Sequence, residues 1–233
     1  MNKIAFIGLG HMGGPMAANL VKAGRNVHGY DLVPVLRDAA AEDGVIIAPS
    51  ARDAVRGAEI VITMLPAGNH VLGVWQEVLP AAKEDALFID SSTIDVESAR
   101  KAHELAQKAG LYSVDAPVSG GTSGAKAATL TFMCGGTDTA FAAAQPLLAQ
   151  MGKRIVHCGG AGAGQAAKIC NNMILGARNN SARRSGTEAS RSEGFRMKAL
   201  PQAMAGAAFH RGIIAGKLNG VMPATTPSAW RSE

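Results

Sequence analysis

Ile4-Ala5-Phe6-Ile7-Gly8-Leu9-Gly10-His11-Met12-Gly13 decides the fold of this chain, because a short apolar run passes straight into glycines spaced G-x-G-x-x-G. In that spacing the first glycine permits a tight turn, the second lets the backbone approach a pyrophosphate, and the third lets the following helix pack close to the strand. The helix N-terminus then offers N–H groups to the anion, and Pro15 suits its first turn. Glycine turns after strands are common, so the motif needs an acid at the end of the second strand. Asp31, eighteen residues past Gly13 and ending Val27-His28-Gly29-Tyr30, meets that need. Its charge suits ribose hydroxyls and repels a 2′-phosphate, and neither Leu32 nor Val33 offers an arginine. The expected ligand is therefore NAD, held by Gly8, Leu9, Gly10, His11, Met12, Gly13 and Asp31.

Outward from this turn, short β-branched and aliphatic runs alternate with stretches of helical spacing, the pattern of a mostly parallel, doubly wound α/β sheet of Rossmann type. Strands are expected near 3–8, 26–31, 44–47, 59–64, 86–90 and 111–116, and helices near 13–23, 34–42, 51–56, 69–82 and 95–109. Leu65 and Pro66 follow the fourth strand and Thr93 the fifth, at the strand ends where ligands bind in such sheets. Asp115 to Gly124 reads as a glycine- and hydroxyl-rich loop, followed by a strand at 129–133, a helix at 138–150 and a strand at 154–157. Ser119, Gly120 and Gly121 in that loop offer a hydroxyl and backbone N–H groups suited to a substrate carboxylate.

Oxidation of an alcohol with NAD needs a group that takes the hydroxyl proton. Gly162-Ala163-Gly164-Gln165-Ala166-Ala167-Lys168-Ile169-Cys170-Asn171-Asn172 supplies one, since Lys168 sits among apolar residues on a helix that favours burial, and a desolvated lysine has a lowered pKa. Asn172, four residues on, shares its face. An arbitrary helix lysine is a solvated one; the apolar company reverses that expectation. Lys126, in Gly124-Ala125-Lys126-Ala127-Ala128, reads as an exposed turn. The histidines show no metal-ligand spacing, and neither Tyr30 nor Tyr112 begins the Y-x-x-x-K of short-chain dehydrogenases. No metal is expected.

The net charge of +5 points to nucleic acid until it is located: 14 basic against 15 acidic residues up to Gly176, and 9 against 3 after it. The part expected to fold has no basic face, so no nucleic-acid partner is expected. No apolar run approaches ~20 residues, so no membrane span is expected. Three cysteines without C-x-x-C spacing are expected as free thiols in a reducing, cytoplasmic setting. At about Ala177 the character changes, with Val, Ile and Leu numbering 39 in the first 176 residues and 5 in the last 57. Only Ala199–Val221 attempts a helix, weakened by four glycines. The organisation expected is an NAD-binding domain over 1–161, the start of a lysine-bearing interdomain helix over 162–176, and a poorly ordered basic tail over 177–233.

Taken together, Phe6 to Gly13, Asp31, Met64-Leu65-Pro66, Ser92-Thr93, Asp115-Ala116-Pro117-Val118-Ser119-Gly120-Gly121 and Gly162-x-Gly164-x-x-x-Lys168-x-x-x-Asn172 closely resemble the β-hydroxyacid dehydrogenase family over about residues 1–176. The resemblance implies Lys168 as the catalytic lysine, Ser119 to Gly121 and Asn172 as substrate-holding, and Leu65, Pro66 and Thr93 as NAD contacts. It implies oxidation of a small 3-hydroxy acid, 3-hydroxyisobutyrate to methylmalonate semialdehyde in valine breakdown, with tartronate semialdehyde or glycerate chemistry as the sister reaction. The family continues the lysine helix into a helical domain that covers the site and builds homo-oligomers. The tail departs from that pattern, with a composition expected of a GC-rich gene read out of frame or of a truncated relative. An NAD-binding module without catalysis is the competing expectation.

Overall fold

The structure is a computed structural model and describes residues 3–185. Its sheet has nine strands, with β1 (Lys3–Ile7), β2 (Asn26–Tyr30), β3 (Ile46–Ile47), β4 (Ile60–Thr63), β5 (Leu87–Asp90) and β6 (Tyr112–Asp115) in the parallel order 3-2-1-4-5-6. That is the doubly wound order expected of a dinucleotide fold. Beyond β6 the sheet changes sense. Strand β8 (Leu130–Gly136) runs antiparallel to β6 and to the two-residue β7 (Val118–Ser119), and β9 (Gly152–Gly159) lies parallel to β8.

Alternation along β1 shows why the sheet is covered twice. Ile4 and Phe6 face one core, with Met16 and Leu20 of α1 (Gly13–Lys22), Ala40 of α2 (Pro34–Glu42), Ala125 of α6 (Gly121–Lys126) and Leu147 of α7 (Asp138–Leu148). Ala5 and Ile7 face the other, with Val55 of α3 (Ala51–Val55), Trp75 of α4 (Gly68–Val78) and Ala99 of α5 (Val96–Lys108). A strand buried on both faces reads as a continuous apolar run, which is what Ile4 to Ile7 is. The Trp75 indole N–H donates to Thr63 Oγ1 at 3.3 Å, and the ring stands edge-on to Phe88 with centroids 5.1 Å apart.

Two expectations are corrected. The stretch from Asp115 to Gly124 is not one loop but contains β7 and the start of α6. A two-residue strand carries no periodicity, and Gly-Thr-Ser-Gly-Ala-Lys has weak helix propensity. Tertiary contact makes this helix: Gly124 and Ala125 are buried, and buried Asn19 Nδ2 donates to the Ala125 carbonyl at 2.6 Å. Lys126 is exposed as expected, but it ends a helix. Strand β8 also runs to Gly136, three residues past its expected end at Met133.

The lysine helix, α8, spans Ala163–Ser185 and so continues beyond the compositional break at 176. Residues 186–233, with most of the basic tail and the stretch 199–221, lie outside the described residues. No helix among the described residues is long and apolar enough to cross a membrane. The three cysteines are free thiols, Cys134 buried and the others half-buried, and burial pushes the Cys158 thiol up to about 12. Such thiols stay protonated and inert.

Candidate functional site

Register pairs align Tyr30 with Ile7, Ile7 with Thr63, Thr63 with Asp90, and Asp90 with Asp115 in one row across the sheet. The segments that leave this row are the glycine turn, Met64-Leu65-Pro66, Ser91-Ser92-Thr93 and Ala116 to Ser119, so all the expected contacts except those on α8 emerge from one edge. The sheet order alone brings them together.

The three glycines of the turn differ in what demands them. Gly8 has φ +95°, and a Cβ there would strike the Met64 carbonyl; a Cβ on Gly13 would strike the Gly8 carbonyl. Among the described residues, a Cβ at Gly10 would meet nothing within 4 Å. Packing within the protein therefore explains Gly8 and Gly13, while the described residues leave the backbone at Gly10 open to a ligand. Met12 heads α1 without a side-chain cap and the first turn holds no acid, so its N–H groups are available to an anion. His11 is exposed beside them. The residues present fit a dinucleotide pyrophosphate.

Asp31 has a second role that the sequence did not reveal. Its Oδ2 accepts from Leu9 N at 2.7 Å and its Oδ1 from Val33 N at 2.9 Å, so the carboxylate also ties the glycine turn to the end of β2. Each oxygen keeps a lone pair for a ribose hydroxyl. Arg37, missed in the sequence because it lies one helical turn further on, donates to the Asp31 carbonyl at 3.1 Å and lies 5.8 Å over the Tyr30 ring. Asp31→Ala should weaken NAD binding by about 10- to 100-fold in calorimetry, since hydrogen bonds to a charged group are each worth about 1.5–3 kcal/mol. An unchanged affinity would remove Asp31 from the ribose site.

Beneath the next two loops lies a buried polar network. Asp90 Oδ1 accepts from Thr63 Oγ1 at 2.8 Å, Ser92 Oγ at 2.6 Å and Ser92 N at 3.2 Å, and Ser92 Oγ accepts from Leu65 N at 2.8 Å. Asp90 Oδ2 has no partner among the described residues. Burial outweighs these hydrogen bonds and, with nearby Asp115, pushes the Asp90 carboxyl up to about 6 from 3.8. The native state then holds a proton that the unfolded chain has lost between pH 3.8 and about 6, so stability falls as pH rises through that window, by about 3 kcal/mol in all. Urea titrations at pH 4 and pH 7 should show that loss in the wild type and a flatter profile in Asp90→Asn.

Asp115 anchors the lysine helix. Its Oδ1 accepts from Gly162 N at 2.8 Å and lies 2.9 Å from His103 Nε2, and its Oδ2 accepts from Gln165 N at 3.0 Å. Ser113 Oγ lies 2.7 Å from the other ring nitrogen of His103. Ser113 is buried and Asp115 is occupied by the helix start, so this Ser–His–Asp line braces α8 rather than activating a nucleophile. Gly164 and Gly135 permit the close approach: a Cβ on Gly164 would strike the Met133 carbonyl, and one on Gly135 would meet Ala163 N at 2.8 Å.

On α8, Lys168 is half-buried and desolvation lowers its pKa from 10.5. No carboxylate lies within salt-bridge distance of it among the described residues. Asn172 is exposed, as are Pro66, Thr93, Gly120 and Gly121, whereas Leu65 and Ser119 are half-buried. Ser119 pairs with Thr131, and Gly120, at φ +130°, turns the chain into α6.

The model of the NAD binding domain of 6-phosphogluconate dehydrogenase matches residues 3–160. A solved structure of Mycobacterium tuberculosis 3-hydroxyisobutyrate dehydrogenase with L-serine is 44% identical, with a TM-score of 0.77, and covers 97% of this chain and 77% of its own. The chain belongs to the 3-hydroxyisobutyrate dehydrogenase family. Within that family, a probable 3-hydroxyisobutyrate dehydrogenase of Mycobacterium tuberculosis is 54% identical over 175 residues, 75% of this chain and 60% of the relative. A NAD-dependent L-serine dehydrogenase of Pseudomonas aeruginosa is 52% identical over 178 residues, with the same two shares. The chain thus spans 60% of the length of these two relatives.

Proposed function

We propose that this chain carries the cofactor half and the catalytic lysine of an NAD-dependent 3-hydroxy acid dehydrogenase, with 3-hydroxyisobutyrate as the first substrate. NAD, bound over Gly10 and the start of α1, supplies the hydride acceptor. Unprotonated Lys168 takes the proton of the substrate hydroxyl, and in the reverse direction its ammonium returns it. Ser119, Gly120 and Gly121 receive the substrate carboxylate through a hydroxyl and backbone N–H groups, and Asn172 holds the substrate one helical turn from the lysine. Leu65, Pro66 and Thr93 line the cofactor side. The observation that carries the reading is Lys168 itself, a desolvated amine with no counter-ion among the described residues, on a helix braced by Asp115.

L-Serine is the second substrate, favoured because a 52% identical relative is named for it and the solved relative is described with it. It differs from 3-hydroxyisobutyrate in bearing an amino group where the latter has a methyl. Glycerate is the sister candidate. A functional setting in valine breakdown and a cytoplasmic location belong to the same proposal. The test is NADH formation at 340 nm with each hydroxy acid, alongside NAD titration by calorimetry. Turnover of 3-hydroxyisobutyrate with the highest kcat/KM supports the reading. NAD binding without turnover of any of the three replaces it with an NAD-binding module.

A further inference from the structure

Gln165 is fully buried, and its side chain makes two hydrogen bonds to one loop. Its Oε1 accepts from Ile94 N at 3.1 Å and its Nε2 donates to the Ser92 carbonyl at 2.7 Å. Its own backbone N–H goes to Asp115, so the same residue is held from both the loop after β5 and the end of β6. Ser92 in turn accepts from Leu65 N and donates to Asp90, which extends the line of bonds to the loop after β4. An apolar side chain could fill this space without the desolvation cost of an amide. What the amide adds is geometry: a donor and an acceptor set on two backbone groups fix both the distance and the rotation of the helix that carries it. Gln165, Lys168 and Asn172 are spaced i, i+3 and i+7, so they share one face of α8, and a rotation at Gln165 moves the other two with it.

We infer that Gln165 is a positioning residue, which clamps the first turn of α8 to the Ser92–Thr93–Ile94 loop and thereby sets the Lys168 amine relative to the cofactor side of the site. The inference rests on the proposed role of Lys168 for its functional meaning, and its test is read separately from that role.

Gln165→Met keeps the length and the volume and removes both bonds. The full chain and the variant are compared by thermal melting, by NAD calorimetry, and by competitive acetylation of Lys168 across a pH series read by mass spectrometry, with exposed Lys108 as internal reference. In the folded variant, the Lys168 labelling midpoint is expected to rise as the amine gains water. NAD affinity is expected to fall by about 3- to 10-fold, the loss of roughly one hydrogen bond's worth of positioning. Gln165→Asn, one methylene too short to reach both backbone groups, is the milder second variant and should shift both readouts in the same direction. A folded Gln165→Met or Gln165→Asn protein with the wild-type labelling profile and NAD affinity within twofold overturns the inference. The rate of Lys168→Ala tests the lysine as a base, and the labelling and binding measurements decide Gln165 whichever way that rate falls.

Discussion

Lys168→Ala should lower the proposed 3-hydroxy acid oxidation by about 10²–10⁴-fold, the usual contribution of a positioned general base, and should leave NAD affinity within about twofold. The separation follows from where the residue stands. The proposed pyrophosphate and ribose contacts come from the glycine turn and Asp31, at the ends of strands β1 and β2, whereas Lys168 comes from α8, beyond the far side of the parallel sheet. Desolvation holds the amine below the ordinary lysine value, and no neighbouring carboxylate restores it among the described residues. For a base with a lowered folded pKa, the proton is bound less tightly in the native state, so the charged amine opposes folding in full below that pKa, and the penalty is relieved as pH rises from there to the unfolded value of 10.5. Two outcomes follow. Oxidation by the wild type should accelerate as pH rises through the Lys168 pKa, and Lys168→Met should melt no lower than the wild type while losing the reaction. A Met variant that oxidises 3-hydroxyisobutyrate at the wild-type rate would end the proposal for Lys168; a Met variant that fails to fold would show the lysine to be structural.

Gly8→Ala and Gly10→Ala, two residues apart, should fail in opposite ways. At Gly8, φ +95° disfavours any side chain, and the new methyl would strike the Met64 carbonyl and lie 3.1 Å from Leu65 Cδ2. Neither backbone can yield, because Gly8 N donates to the Tyr30 carbonyl at 2.9 Å and Met64 N donates to the Ile7 carbonyl at 2.9 Å. Backbone strain and overpacking cost about 1–3 kcal/mol each, which lowers Tm by roughly 10 °C in a chain of this size. At Gly10 the methyl meets nothing among the described residues. Gly10→Ala should therefore melt within about 1 °C of the wild type and lose NAD binding by calorimetry, because the methyl occupies the approach of the pyrophosphate. If Gly10→Ala binds NAD normally, the open space over Gly10 does not receive the cofactor.

The turn, Asp31, the five helices between the parallel strands and the lysine were legible in the sequence because each rests on local spacing. A period of two or of 3.6, a glycine triplet, or an acid at a strand end needs no knowledge of what lies opposite. Arg37 was not legible because it stands six residues past Asp31, and only the first turn of α2 returns its side chain to the strand end. Strand β7 and helix α6 escaped because neither has a pattern of its own: one exists through pairing with β8, the other through a single buried bond from Asn19 to Ala125 and the burial of Gly124 and Ala125.

By itself, then, the sequence determined a doubly wound sheet with a dinucleotide turn at one end of the chain and a lysine helix at residue 168. Only the tertiary structure decided how those parts are held. Asp115 and Gln165 read in the sequence as a strand end and a helix residue, yet they join the first turn of α8 to segments 47 to 73 residues away. Asp90, an ordinary strand acid by sequence, lies buried with one oxygen unpartnered beneath two loops. The physical reason is the same in each case: a polar side chain acquires its role from the partner that burial leaves it, and that partner is fixed by the order of strands in the sheet rather than by neighbours along the chain.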